Sequence, residues 1–161
     1  MNTAAKIFGF LLIIASSLSC SEEVEPKPYT YTQIFTGEES KTWKVTDVVI
    51  TREGQDPRDY LQFWNSCERD DRYTFFNNVE RKFQITNGVR ACDEEEDLLV
   101  DYNWSFVNSS ALLNIPFPRV FGNFVIPFTV GSVTEDNLTL FIYLDNENQV
   151  SMEVKMEAIN E

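Results

Sequence analysis

The chain predicts an all-β fold, an eight-stranded antiparallel up-and-down barrel or meander, and three observations point to it. Aromatic residues make up 14% of the 161 residues, with 13 Phe, 6 Tyr and 3 Trp, and such side chains favour half-buried pleated surfaces. Successive segments alternate apolar and polar residues with a period of two, the spacing that puts one set of side chains on a common face. Turn residues separate these segments at short intervals, and no helical periodicity persists beyond the N-terminal apolar run.

The segments follow in order. Lys41-Thr42-Trp43-Lys44-Val45-Thr46-Asp47-Val48-Val49-Ile50 sets Trp43 and Val45 against Thr42, Lys44 and Thr46. Its parity slips at Asp47-Val48, as it does at a β-bulge. Gly54-Gln55-Asp56-Pro57 reads as a turn, and the aromatic stretch 60–64 fits a lid, a turn of helix or a partial strand. Residues 72–77 carry Tyr73 and Phe75 on one face, Asn77-Asn78 turns, and residues 81–86 return with Phe83 and Ile85. Asn87-Gly88 predicts a tight hairpin, because both residues tolerate positive φ. Tyr102-Asn103-Trp104-Ser105-Phe106 reads as one clean strand, and residues 112–117 as the next. Pro116, Pro118 and Pro127 donate no ladder hydrogen bond, which places them at strand ends or on edges. Residues 124–133 and 138–144 follow, and Val150, Met152, Val154 and Met156 alternate with polar residues in the last strand.

The N-terminus reads as an address. Lys6 precedes an apolar run over residues 7–15, too short for the roughly 20 residues that span a bilayer and long enough for a cleaved export signal. Ser16-Ser17-Leu18-Ser19-Cys20 resembles a bacterial lipobox, in which the cysteine is acylated and the signal is cut before it. Leu18 stands one place later than in the usual pattern, as in Bacteroidetes-type lipoproteins. An ordinary secretory signal is the alternative, but it leaves Cys20 as an unexplained third cysteine. Acyl chains at Cys20 hold a protein to a membrane without a transmembrane helix. Ser21-Glu22-Glu23-Val24-Glu25 looks like the acidic export signal of such lipoproteins or a solvated linker, and Pro26-Lys27-Pro28 continues it in extended form. The expected organisation is a signal peptide over 1–19, an acylated cysteine and acidic, proline-containing tether over 20–36, and the β-domain over 37–161.

Composition narrows the function. Thirteen Lys and Arg face 26 Asp and Glu, a net charge of −13, so the basic footprint that neutralises phosphates is absent and nucleic acid is not an expected partner. No histidine is present, which removes Ser-His-Asp and Cys-His catalysis and His-ligated metals. The expectation is a non-enzyme with no cofactor. Cys67 and Cys92 are expected to form a structural disulfide in an exported chain, since Asp70, Asp93 and Glu94 oppose thiolate chemistry. The run Asp93-Glu94-Glu95-Glu96-Asp97, with Asp70 and Asp71, has the oxygen ligands for calcium but not the ligand spacing or turn glycine of an EF-hand loop. It reads as a solvated loop, and no metal is assigned.

Four features together carry a resemblance: Lys41-Thr42-Trp43-Lys44-Val45 opening the first strand, Cys67-x-x-Asp70-Asp71-x-Tyr73-x-Phe75, the returning Cys92, and Asn103-Trp104-Ser105-Phe106. In their order and spacing they resemble the lipocalin-like domains of Bacteroidetes-type outer-membrane lipoproteins. Lys41 stands where true lipocalins carry the glycine of Gly-x-Trp. The resemblance implies an eight-stranded barrel and, by analogy, a small apolar or amphipathic ligand. Its expected lining is drawn from the inward side chains Trp43, Tyr73, Phe75, Phe83, Trp104 and Phe106, with Met152 and Met156. A barrel of this size is either filled by its side chains or opened around one ligand. The second outcome favours a ligand carrier on the outer membrane, and the first a surface-displayed module that meets a protein or glycan through its acidic loops and the aromatics of residues 60–64.

Overall fold

The computed structural model describes residues 31–92, 98–108, 112–145 and 149–159. The signal peptide, Cys20, the tether as far as residue 30 and the acidic run 93–97 lie outside the described residues. Helix α1 (Tyr31–Thr36) is followed by β1 (Ser40–Thr51), β2 (Arg58–Asp59), a 3-10 turn over Leu61–Phe63, β3 (Arg72–Phe76), β4 (Lys82–Thr86), β5 (Leu98–Asn103) and β6 (Ser105–Val107). Then come β7 (Leu112–Pro116), the one-turn helix α2 (Pro118–Phe121), β8 (Val125–Val133), β9 (Asn137–Asp145) and β10 (Val150–Ile159).

All described pairings are antiparallel, and the strands follow the order β5-β4-β3-β1-β10-β9-β8-β7-β6, with β2 beside β1. The two ends of this path, β5 and β6, are separated in the chain only by Trp104, so the sheet curls into a nearly closed barrel. The stretch 102–106 is therefore not one regular strand. Asn103 still pairs with Lys82 of β4, whereas Ser105 already pairs with Asn114 of β7. At the bend, the Trp104 backbone N–H donates to the Arg81 carbonyl at 2.8 Å and its indole N–H to the Phe76 carbonyl at 3.2 Å. Arg81 lies over the indole ring, 5.2 Å from its centroid.

The parity slip read in β1 is a real bulge. Val45 faces Met156 and Asp47 faces Lys155, leaving Thr46 as the extra residue, and Val48 is thereby turned inward behind Trp43 and Val45. Bulges bend and twist a strand, and β1 pairs with β3 only before this point. Pro116 ends β7 and Pro118 opens α2. Pro127 faces Asn114 in the part of β8 that lies outside the β9 pairing, so no ladder bond is lost there.

Asn87-Gly88 is not a positive-φ hairpin turn. Its glycine is needed for close approach instead, because a Cβ on Gly88 would collide with the Asp70 carbonyl. The stretch assigned to the tether, 20–36, also contributes to the core. Helix α1 is too short for a periodic signature, yet Phe35 is buried against Phe75, Trp104, Phe106 and Trp43, with ring centroids 4.2 to 6.4 Å apart. The Trp43 indole N–H donates to the Phe35 carbonyl at 3.0 Å, and Lys41 Nζ donates to the Ile34 carbonyl at 3.0 Å. Gly37, at φ +69°, ends the helix with its N–H on the Gln33 carbonyl. No described helix is long and apolar enough to cross a membrane.

Candidate functional site

Antiparallel order gives the barrel two different ends. Helix α1 covers the end where β3 finishes and β5 runs into Trp104. The opposite end, where β3 begins, β4 finishes and β5 begins, holds a cleft of about 310 Å³. That volume lies at the lower bound of ordinary ligand pockets, roughly 300–1,000 Å³. Its apolar walls are Ile85, Leu98, Leu99 and Pro118, and its polar groups are Asp71, Tyr73 and Arg119.

The polar groups are brought together by three separate elements. Asp71 immediately precedes β3 and Tyr73 is its second residue, while α2 carries Arg119 from 48 positions away. Arg119 Nε donates to Asp71 Oδ2 at 2.9 Å and Nη1 donates to Glu68 Oε1 at 3.2 Å. The Asp71 and Tyr73 side chains are fully buried. Each member of this trio nevertheless keeps a buried polar atom without a hydrogen-bond partner among the described residues: Asp71 Oδ1, the Tyr73 hydroxyl and Arg119 Nη2. Native structures pair nearly all such atoms, because an unmet buried group costs about 1–3 kcal/mol. Residues that line a cleft and keep unmet valences supply the chemistry of a binding site.

Burial holds the Asp71 carboxyl above its ordinary value, more strongly than the bond and charge of Arg119 lower it, and Asp70 and Glu68 add to the rise. Burial, then the Asp71 carboxylate, push the Tyr73 hydroxyl far up, so it stays protonated and can donate. For Arg119 burial favours the neutral form, but the bond and charge of Asp71 outweigh it and the guanidinium is held charged. Two carboxylates against one guanidinium leave the cluster with an excess negative charge at neutral pH.

The folded chain takes up the Asp71 proton at a higher pH than the unfolded chain does. This contribution is therefore fully present below the unfolded value and is lost as pH rises through the raised folded value. Relative to Asp71→Asn, the wild-type protein is expected to gain stability on acidification through the range just above the ordinary aspartate pKa. Denaturant melts of both proteins between pH 7 and 4 check this, and parallel curves would contradict it.

The Cys67–Cys92 disulfide forms as expected, with its Cα atoms 5.2 Å apart. It fastens the segment that follows β4 to the segment that carries Glu68, Asp70 and Asp71. Asp70 Oδ2 completes this attachment by accepting from the Val89 and Arg90 backbone N–H groups at 2.9 and 3.2 Å. With the half-cystines 25 positions apart in the chain, replacing both by Ser is expected to cost on the order of 3 kcal/mol, mainly by freeing the unfolded chain. A melt within about 0.5 kcal/mol of wild type would show that the hydrogen bonds alone hold the loop. Of the two carboxylates weighed as calcium ligands, Asp70 accepts from these backbone N–H groups and Asp71 from Arg119, each through its Oδ2.

Of the eight residues expected to line a ligand cavity, Trp43, Tyr73, Phe75, Phe83, Trp104, Met152 and Met156 are buried in the core, and Phe106 is partly buried against it. They pack on one another and on Phe35, and Tyr73 alone among them reaches the cleft. Leu98, Leu99, Pro118 and Arg119 were not legible as site residues. In an acidic chain, an arginine framed by Phe117-Pro118 and Val120 was the one available signal. The aromatic stretch 60–64 divides: Trp64 is buried, whereas Phe63 is 70% exposed beside Tyr60.

The fold defines an all-β protein of the nearly closed antiparallel barrel class, with a polar-headed cleft at one rim. No protein-family model and no curated protein matches the chain.

Proposed function

We propose that this chain is a non-catalytic, lipid-anchored protein of the outer membrane that binds one small amphipathic molecule in the rim cleft of a lipocalin-like barrel. The ten described strands are compatible with the eight of such a barrel when β5 and β6 are counted as one strand bent at Trp104 and β2 as a flap on β1. Acylation at Cys20 supplies the anchor, so Cys20→Ala is expected to release the protein from membranes. Persistent membrane association of that variant would contradict the anchor.

One observation carries the binding reading: three of the residues that line the cleft each hold a buried polar atom with no partner among the described residues, and the other walls are aliphatic. The aromatic interior is a packed core in this reading, and the ligand sits beside it at the rim. Native mass spectrometry of the protein isolated from its source envelope tests this. A retained small molecule, lost when Leu99→Trp fills the cleft, is the expected result, and a bare oxidised polypeptide would contradict it.

A surface-interaction role is the second reading, supported by exposed Phe63 in a small cleft of about 140 Å³ with Tyr60, Arg52 and Arg58. It would be favoured if Phe63→Ala abolished capture of a partner while leaving any small-molecule content unchanged.

A further inference from the structure

Resting on the rim-cleft reading, we propose that the cleft selects an uncharged ligand whose polar head presents a hydrogen-bond donor beside an acceptor, as a carboxamide does, on a compact aliphatic body. The unmet atoms define the head. Arg119 Nη2 can only donate, so it asks for an acceptor, while Asp71 Oδ1 as carboxylate can only accept, so it asks for a donor. The Tyr73 hydroxyl, fully buried, can serve either side.

Charge then discriminates between heads of the same size. A carboxylate would satisfy Arg119 but bring a third negative charge to Asp71 and Glu68, which already share that guanidinium at 2.9 and 3.2 Å. An ammonium would satisfy Asp71 but leave Arg119 Nη2 unmet and facing a like charge. A neutral head with both functions meets both atoms without adding charge to a site that burial makes costly for ions. Ile85, Leu98, Leu99 and Pro118 supply only aliphatic surface for the body of the ligand.

The test uses three probes that share one body: cyclohexanecarboxamide, cyclohexanecarboxylate and cyclohexylmethylammonium. Each is titrated into the protein at neutral pH while the methyl resonances of Ile85, Leu98 and Leu99 are followed by NMR. The carboxamide is expected to move these signals with at least about tenfold higher affinity than either ion. Tyr73→Phe is expected to weaken the carboxamide about tenfold, the effect of one buried hydrogen bond, without loss of stability, because the hydroxyl it removes has no described protein partner. Equal or tighter binding of either ion at the same methyls, or an unchanged carboxamide affinity in Tyr73→Phe, would overturn the head-group assignment and leave the cleft as a binding site. If none of the three probes moves these methyls, the rim-cleft reading itself is overturned.

Discussion

Replacing Arg119 by Met is expected to destabilise the fold by about 3 kcal/mol, the lower end of what breaking a buried ion pair from one side costs. The magnitude follows from what remains. Asp71 would keep a fully buried carboxylate with its cation gone, and Glu68 would lose the same partner. The lower end of the range applies because the Arg119 and Glu68 side chains retain 19% and 21% exposure, which lets water relieve part of the cost. Neutralising the orphan should recover most of the loss, so Asp71→Asn combined with Arg119→Met is expected to melt closer to wild type than Arg119→Met alone. Urea unfolding of the three proteins measures this. A single-variant loss under about 1 kcal/mol would mean that the pair is screened as surface pairs are.

Phe35→Ala is expected to cost about 3–5 kcal/mol, the usual range for emptying a buried aromatic site. Phe35 fills the space between Phe75, Trp104, Phe106 and Trp43, and its carbonyl accepts the Trp43 indole N–H. The folded variant should also differ from folded wild type in tryptophan emission, since both Trp43 and Trp104 pack against Phe35. A competing route sets an upper limit: if α1 detaches as a unit, the loss cannot exceed the docking energy of residues 31–36. A loss below about 1 kcal/mol would place those residues outside the cooperative fold.

Strand parity was legible because burial repeats it directly. Trp43 and Val45, Tyr73 and Phe75, Phe83 and Ile85, and Met152, Val154 and Met156 all stand on the inward face that a period of two assigns them. The bulge in β1 was legible for the same reason, since a two-for-one pairing must shift the parity. The bend at Trp104 was not, because alternation continues smoothly from Tyr102 to Phe106 while the hydrogen-bond partner changes from β4 to β7. Side-chain periodicity carries no information about which strand lies alongside.

The site was less legible than the fold. Asp71 and Tyr73 are legible as members of the Cys67-x-x-Asp70-Asp71-x-Tyr73-x-Phe75 motif, but nothing in the sequence separates Asp71 from the acidic run that follows Cys92. Its partner, Arg119, is 48 residues away on a single turn of helix, and no local pattern couples such positions. Asn87-Gly88 misled in a physically instructive way. Glycine after asparagine favours a positive-φ turn, but glycine is also required where two backbones meet, and here the Gly88 backbone rests on Asp70.

The most direct measurement is a crystal structure of the protein purified from its source envelope without extraction of bound molecules. Density for a small molecule against Asp71, Tyr73 and Arg119, walled by Leu98 and Leu99, with Phe35 still seated among Trp43, Phe75 and Trp104, is the expected result. A ligand lying among those aromatics with Phe35 displaced would contradict it and move the binding site into the barrel interior.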